Sequence, residues 1–246
     1  MLVFDRINFI SKWISDYANQ VSKKPFNLVI GVSGGIDSAV TSTLCAKTNL
    51  KTIVVSIPIR QNEEQYSLSL DHIKWLKSNF TNVESYTINL DNVFKTFKDN
   101  MKNFESDLAF ANSRSRLRMV TLYQIAQSNN ALVVGTGNKV EDFGIGFYTK
   151  YGDGGVDIAP IADCTKTQVL EMGKTLKITK NIIDAKPTDG LWDDNRNDEE
   201  QIGLSYEQLE EAMNNPQSQY YEKYIEIRKP NLHKMDPIPI CKFKKN

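Results

Sequence analysis

The chain has 246 residues, of which 40% are hydrophobic, and its 30 basic and 30 acidic residues give a formal net charge of zero. This length and apolar content suffice for one large α/β domain with a substantial core. The balanced charge excludes a global field that would draw the chain to nucleic acid or to an anionic membrane, and every apolar run is shorter than a membrane span.

The cysteines point to a reducing compartment. Cys45, Cys164 and Cys241 lie far apart and form neither a Cys-x-x-Cys motif nor a disulfide framework. Charged residues interrupt the apolar ones at the N-terminus, which is unlike a signal peptide. We therefore expect a soluble, cytoplasmic protein.

The first predicted element is an amphipathic helix over residues 4–22, whose apolar residues share one face. Its polar face is not dominated by lysine and arginine, so packing rather than membrane association is expected. Residues 27–48 then predict a buried strand, a tight turn and a helix, because a short apolar run gives way to apolar residues at helical spacing.

The turn inside residues 27–48 has the composition of an anion-binding loop. Gly34 and Gly35 allow backbone conformations that are closed to other residues, and the first amides of the next helix lack helical partners. Asp37 would repel phosphates, a conflict that a bound Mg²⁺ would resolve. The alternative is a plain glycine-rich turn with a capping residue, since neither the Walker A nor the dinucleotide-binding spacing is present.

Further apolar segments, at residues 52–57, 83–90 and 131–135, predict three more strands. Helices are expected at residues 63–79, from Asp91 onward and at 106–129. This alternation indicates an α/β fold: a doubly wound parallel sheet with helices on both faces and right-handed connections. Polar residues that follow the strands then lie at the carboxyl edge of the sheet, where such folds bind ligands.

The helix at 106–129 carries three arginines. Arg114 and Arg118 are four residues apart and share a face, whereas Arg116 points elsewhere. A solvated or salt-bridged face is one interpretation of these charges, and a binding role is the other.

The segment 141–166 is rich in glycine and acidic residues around Lys150, a composition unsuited to a regular element. Such long loops are usually functional, with a plain turn as the alternative. A helix is expected to open at Asp163 and run to about Leu176. The polar segment 184–204 predicts a mobile loop, either a lid or a linker, because it holds little to bury. Helices at 205–214 and 216–228 complete what we interpret as one domain over 1–246.

Several of these stretches resemble one family. Residues 31–38 resemble the pyrophosphate loop of the ATP pyrophosphatases. With residues 135–139, 149–155 and the pair His233-Lys234, the chain is similar to the ammonia-dependent NAD⁺ synthetases over nearly its whole length. The resemblance implies amidation of deamido-NAD⁺ with ammonia through an adenylated intermediate, giving NAD⁺, AMP and pyrophosphate, the last step of NAD⁺ biosynthesis. It also implies a homodimer, with the helix at 106–129 as a candidate for the interface.

The resemblance implies a role for each matching residue. Ser33, Asp37 and Lys166 would be catalytic, and Asp37 and Glu141 would bind Mg²⁺. Because residues 141–148 make a stretch one residue longer than in some members, Asp142 is an alternative metal ligand. The other implied ATP contacts are Gly31, Val32, Gly34, Gly35, Ile36, Ser38, Thr136 and Thr188. Those implied for deamido-NAD⁺ are Arg116, Lys150, Asp157, His233 and Lys234.

Three alternatives remain open from the sequence. The chain could be a tRNA-thiolating enzyme, but no cysteine lies in a motif that lowers its pKa, and the net charge of zero does not suggest the basic surface that RNA binding would need. It could be a GMP- or asparagine-forming amidotransferase, or a nucleotide-binding regulatory module without catalysis. A separate glutaminase domain would not fit beside the synthetase region, so ammonia is the expected direct donor unless a separate partner protein supplies it.

Overall fold

A computed structural model describes residues 1–20, 26–188, 190–191 and 197–243. Within these residues, four parallel strands form one sheet in the order β3-β2-β1-β4. The strands are β1 (Asn27–Gly31), β2 (Thr52–Ser56), β3 (Val83–Thr87) and β4 (Ala131–Val133). The predicted strands at 83–90 and 131–135 are therefore shorter in the structure, although Val134 still forms a bridge to Ile158.

The middle residues of the two central strands, 28–30 and 53–55, are apolar because both faces of the sheet are covered. Leu28 and Ile30 point into a core shared with helices on one face, whereas Val29 points into a second core on the other. This confirms the predicted α/β class.

The helices match most of the sequence prediction. They are α1 (Val3–Gln20), α2 (Ile36–Ala46), α3 (Glu63–Asn79), α4 (Asp91–Asn100), α5 (Asp107–Ser128), α6 (Lys166–Thr175), α7 (Lys180–Ile183), α8 (Asp198–Ile202), α9 (Tyr206–Asn214), α10 (Tyr221–Arg228) and α11 (Leu232–Met235). The last residues predicted for the first helix, including Val21, lie outside the described residues. Helix α10 begins at Tyr221 rather than at 216, because the preceding residues form a turn closed by Ser218 N–H and Asn215 O.

The prediction that residues 141–166 lack regular structure was wrong at their start. Lys139–Ile145 forms a π-helical turn, capped at its start by the Asn138 side chain and ended by Gly146 in the left-handed conformation (φ 69°). Helix α6 starts at Lys166 rather than at Asp163, because the Thr165 side chain caps it in a capping box with Gln168.

The segment 184–204 buries more than its composition suggests. Within it, α8 is capped by Asn197 in a capping box with Glu200, and Ile202 and Leu204 are buried. These two side chains belong to a separate apolar cluster that joins the π-helical turn to α9 and α10. Residues 189 and 192–196, which include Asp189, Asp193 and Asp194, lie outside the described part of the chain.

The three arginines of α5 do not form one solvent-exposed face of the helix. Arg114 is 6% exposed and its guanidinium carbon lies 5.2 Å from the centre of the Phe94 ring. Arg118 Nε donates to Ile57 O at 3.1 Å. Both side chains therefore tie α5 to the body of the fold, and Arg116 is the more exposed of the three.

Candidate active site

The candidate site lies where β1 and β4 end side by side. Strands β1, β2 and β3 follow one another in one direction across the sheet, and the chain then returns to place β4 on the other side of β1. Loops that follow β1 and β4 diverge at such a switch point and leave a crevice between them. The turn at residues 33–35 lies on one side of this crevice, and residues 135–138 lie on the other.

The turn after β1 is held in shape by its own hydroxyls. Ser38 Oγ donates to Gly35 O at 2.9 Å, and Ser33 N–H points to Ser38 Oγ at 3.2 Å. Gly34 has φ 96°, and a Cβ there would lie 2.5 Å from Gln65 O, so only glycine fits. Gly35 is the N-cap of α2, which leaves the first amides of that helix without intrahelical partners.

One ammonium group joins three distant parts of the chain. Lys166 Nζ lies 2.6 Å from Asp37 Oδ2 and 2.8 Å from Glu141 Oε1, and Lys166 as a whole is 4% exposed. Asp37 comes from the first turn of α2, Glu141 from the π-helical turn and Lys166 from the first residue of α6. The structure thus brings together three residues that the sequence placed at the site.

Asn138 contacts the Asp37 carboxylate and the backbone of Glu141. Its Nδ2 donates to Asp37 Oδ1 at 3.2 Å, while its Oδ1 accepts from Val140 N–H and Glu141 N–H, each at 3.0 Å. The side chain is fully buried. Asn138 lies within residues 135–139, which carry part of the family resemblance, but the resemblance implied no role for it.

Tyr206 completes the surroundings of the ammonium. Its hydroxyl donates to Glu141 Oε1 at 2.5 Å and lies 3.2 Å from Asp198 Oδ2. Lys166 Nζ lies 4.7 Å from the centre of the Tyr206 ring. Sequence reasoning missed Tyr206, and no local pattern could have revealed it, because 65 positions separate it from Glu141.

The charges of these groups depend on one another. Although burial disfavours the charged form, Asp37 and Glu141 raise the pKa of Lys166 above its usual range. Burial also opposes ionisation of Glu141, but the charge of Lys166 and the hydrogen bonds it receives lower the pKa of that carboxyl. Burial raises the pKa of Asp37, and the Lys166 ammonium counters this effect. With all three ionised, the cluster carries one excess negative charge.

The donor set suits a magnesium ion that completes its shell elsewhere. Two carboxylates already converge on one cation, the Lys166 ammonium, and their oxygens are the hard ligands that Mg²⁺ prefers. Among the described residues, no group of three or more His, Cys, Asp and Glu side chains could hold a metal alone. Mg²⁺ sites that use one or two carboxylates characteristically take further ligands from phosphates and water.

Asp142 faces a different neighbour from Glu141. Its carboxylate packs on Gly137, where an added Cβ would lie 1.8 Å from Asp142 Oδ2. Burial, and then the negative charges of Asp153, Glu141 and Asp37, raise the pKa of Asp142 well above its usual range. Glu141, not Asp142, shares the Lys166 ammonium with Asp37, and this favours Glu141 as the second metal ligand.

A second group of predicted residues gathers around the loop 146–151. Arg116 Nε and Nη2 each lie 3.3 Å from Lys150 O, and Lys150 Nζ donates to His233 O at 2.8 Å. Lys234 Nζ donates to Gly146 O at 2.7 Å and to Tyr148 O at 2.9 Å. Four of the five residues implied for the dinucleotide therefore lie on one basic surface beside this loop.

The other predicted residues, Asp157, Thr188 and Thr136, lie outside these two groups of contacts. Asp157 accepts from Tyr123 OH at 3.0 Å and from Val133 N–H at 2.8 Å, which places its carboxylate at the end of β4. Thr188 Oγ1 accepts from Gly190 N–H at 3.2 Å. Thr136 is half-buried in the loop after β4.

No helix within the described ranges combines the length and the apolarity needed to cross a membrane.

A family model described as NAD synthase matches residues 6–238. A protein from Mesoplasma florum named NH(3)-dependent NAD(+) synthetase is 33% identical over 233 residues, which are 93% of this chain and 91% of that protein.

Two solved structures are similar to this chain. NMN synthetase from Francisella tularensis is 32% identical and superposes with a TM-score of 0.89, covering 99% of this chain and 100% of that one. NH3-dependent NAD synthetase from Campylobacter jejuni is 23% identical, with a TM-score of 0.77 over 98% of this chain and 100% of that one, and shows the shared fold alone.

Proposed function

The chain belongs to the NAD synthase family, and from that premise we propose that it amidates deamido-NAD⁺ with ammonia, using ATP as co-substrate. The observation that carries this function is the Lys166 ammonium, held between Asp37 and Glu141 beside the glycine turn at the switch point of the sheet. This arrangement offers fixed charge of both signs where a polyphosphate can meet the first amides of α2.

The reaction needs activation because a carboxylate oxygen is a very poor leaving group. An oxygen of the nicotinate carboxylate attacks the α-phosphorus of ATP, the bond from that phosphorus to the bridging oxygen breaks, and pyrophosphate leaves. Ammonia then attacks the carboxyl carbon, AMP leaves with the electrons of the carbon–oxygen bond, and the nitrogen loses a proton to solvent. The protein contributes position and electrostatic stabilisation to both steps.

The geometry of the site supports the following roles for its residues. The turn at 33–38 would hold the departing pyrophosphate through amides and the hydroxyls of Ser33 and Ser38. Lys166 would stabilise charge on the transferring phosphate. Asp37 and Glu141 would hold Mg²⁺, which when bound would neutralise phosphate charge beside Asp37.

The basic surface around the loop 146–151 would take the dinucleotide. Arg116, Lys150 and Lys234 supply positive charge there, and the main-chain contacts of Lys150 and Lys234 hold their ammonium groups near the loop. Asp157, Thr136 and Thr188 are assigned by motif position alone.

We also propose that the chain forms a cytoplasmic homodimer from a single domain over 1–246. Helix α5 exposes Leu108 and Val120, each more than half accessible, which supports its place in the interface. Sedimentation velocity should give the mass of a dimer, and a Val120→Glu variant should shift it to the monomer.

A second candidate substrate is nicotinate mononucleotide. It is favoured by the 32% identity to NMN synthetase from Francisella tularensis over nearly the full length of both chains, because the same chemistry on the smaller acid would yield NMN. The activated carboxylate is identical in both acids, so the difference lies in the half of the site that would bind the adenylate moiety of deamido-NAD⁺.

The test uses the purified chain with ATP, MgCl₂ and ammonium chloride. Deamido-NAD⁺ or nicotinate mononucleotide is added as the acid, and both pyrophosphate and amide product are measured. We expect pyrophosphate and NAD⁺ with deamido-NAD⁺, and no amide when ammonium is left out. Turnover of the mononucleotide alone would establish the second candidate, and no pyrophosphate with either acid would refute both.

A further inference from the structure

Two donors converge on a single oxygen of the second carboxylate. Glu141 Oε1 accepts from Lys166 Nζ at 2.8 Å and from the Tyr206 hydroxyl at 2.5 Å. The Tyr206 ring also lies 4.7 Å from Lys166 Nζ. One side chain therefore contacts both the carboxylate and the ammonium, through different parts of its structure.

The position of Tyr206 is fixed by contacts on several sides. It is the first residue of α9, whose N-cap Ser205 forms a capping box with Gln208. Its own N–H donates to Glu199 Oε1 at 3.0 Å. The residue is 5% exposed and packs in the apolar cluster with Val140 and Ile145, which flank Glu141 in the π-helical turn.

These contacts fix the position of Tyr206 more firmly than the position of a long, flexible side chain such as lysine. Burial, and then the charges of Glu141 and Asp198, raise the pKa of Tyr206 above its usual range, so the hydroxyl keeps its proton and remains a donor. Metal-binding carboxylates are commonly oriented by such a partner outside the metal's own shell.

We propose that Tyr206 is a positioning residue for metal binding, because its hydroxyl fixes the Glu141 carboxylate opposite Asp37. This role rests on the proposed function only in that the metal enters with the nucleotide. Tyr206 would act through Glu141, which accepts the hydrogen bond of its hydroxyl, rather than as a metal ligand.

The test compares Tyr206→Phe, which removes the hydroxyl and keeps the ring over Lys166, with Tyr224→Phe. Tyr224 is buried in the same apolar cluster and serves as the matched control. Binding of Mn²⁺, in the presence of α,β-methylene-ATP, is followed by electron paramagnetic resonance on the full chain. This measurement needs neither deamido-NAD⁺ nor turnover.

Tyr206→Phe should raise the Kd for Mn²⁺ about tenfold, the low end of the usual effect of losing an orienting partner. The Mg²⁺ concentration that half-activates the reaction should rise by the same factor, with the KM for deamido-NAD⁺ within about twofold of the unsubstituted chain. Tyr224→Phe should change neither quantity. Glu199→Ala, which removes the acceptor of the Tyr206 N–H, should shift the Kd in the same direction by less.

An unchanged Kd for Mn²⁺ in Tyr206→Phe would overturn the positioning role, as would an equal rise in Tyr224→Phe. The two proposals also fail separately. If the chain does not amidate deamido-NAD⁺ but Tyr206→Phe still weakens Mn²⁺, Tyr206 keeps its role and the substrate is wrong.

Discussion

Replacing Lys166 with methionine tests the central charge cluster most directly. The substitution keeps an unbranched side chain of similar length and removes the ammonium that lies 2.6 Å from Asp37 and 2.8 Å from Glu141. Both carboxylates are then left with no cation in a site where the lysine was 4% exposed. Removing one partner from a buried ion pair costs about 3–5 kcal/mol of unfolding free energy, so we expect a loss in that range at pH 7 without Mg²⁺.

The assay is equilibrium unfolding in urea, with two variants beside Lys166→Met. Lys180→Met breaks the exposed pair of Lys180 with Asp184, whose side chains are 84% and 56% accessible, and should cost less than about 1 kcal/mol. Adding Asp37→Asn to Lys166→Met should recover part of the loss, because one uncompensated charge disappears. A loss below about 1 kcal/mol for Lys166→Met would show that the ammonium does not stabilise the fold as the contacts suggest.

The kinetics of Lys166→Met should show whether Lys166 acts on ATP or on deamido-NAD⁺. Losing a charged donor at the transferring phosphate should lower the rate of adenylate formation by about 10²- to 10³-fold, with a smaller change in affinity for deamido-NAD⁺. If the variant lost only affinity for the dinucleotide, Lys166 would contact deamido-NAD⁺ and not the transferring phosphate of ATP.

Three further changes give sharp outcomes. Asp37→Ala should remove most turnover and weaken the dependence of the rate on Mg²⁺, and wild-type activity would count against this residue as a metal ligand. Gly34→Ala should lower the unfolding free energy by about 1–3 kcal/mol, because φ is 96° and the new Cβ would meet Gln65 O; calorimetry showing an unchanged Tm would contradict this. Burial lowers the pKa of His72 to about 4 from 6.5, so the unfolded chain binds its proton first as pH falls. Stability should be complete above pH 6.5 and drop by about 3 kcal/mol by pH 4, and His72→Asn should flatten that part of the curve measured by urea unfolding.

Burial on both faces made the strands easy to predict. The run from Leu28 to Ile30 has no polar side because each face of the sheet meets its own core. Helix α3 was predicted with its correct bounds, since Asn62 caps its start by accepting from Glu64 N–H.

The elements that were mispredicted failed for two different reasons. The π-helical turn at Lys139–Ile145 is stabilised by packing of Val140 and Ile145 against α9 and α10, which no local pattern contains. Helix α8 did have a local signal, the spacing of Asn197 and Glu200, but the acidic composition around it outweighed that signal.

The candidate site also has a part that the sequence could predict and a part that only the structure shows. The resemblance to the family pointed to Asp37, Glu141 and Lys166, and in the structure the Lys166 ammonium is hydrogen-bonded to both carboxylates. Neither composition nor spacing could show that Lys166 meets the carboxylates directly, or that Tyr206 joins them. The roles of all the site residues remain predictions, and those of Asp157, Thr136 and Thr188 rest on motif position alone.

The assembly of the charge cluster from separated stretches also affects how the chain matures on the ribosome. Asp37 emerges early, but its partners at positions 141, 166 and 206 follow only after most of the polypeptide has been translated. A nascent or truncated chain that stops before position 206 contains all four strands described above but lacks the tyrosine of this cluster. Metal and nucleotide should therefore stabilise finished molecules selectively, because a ligand favours only the state that binds it.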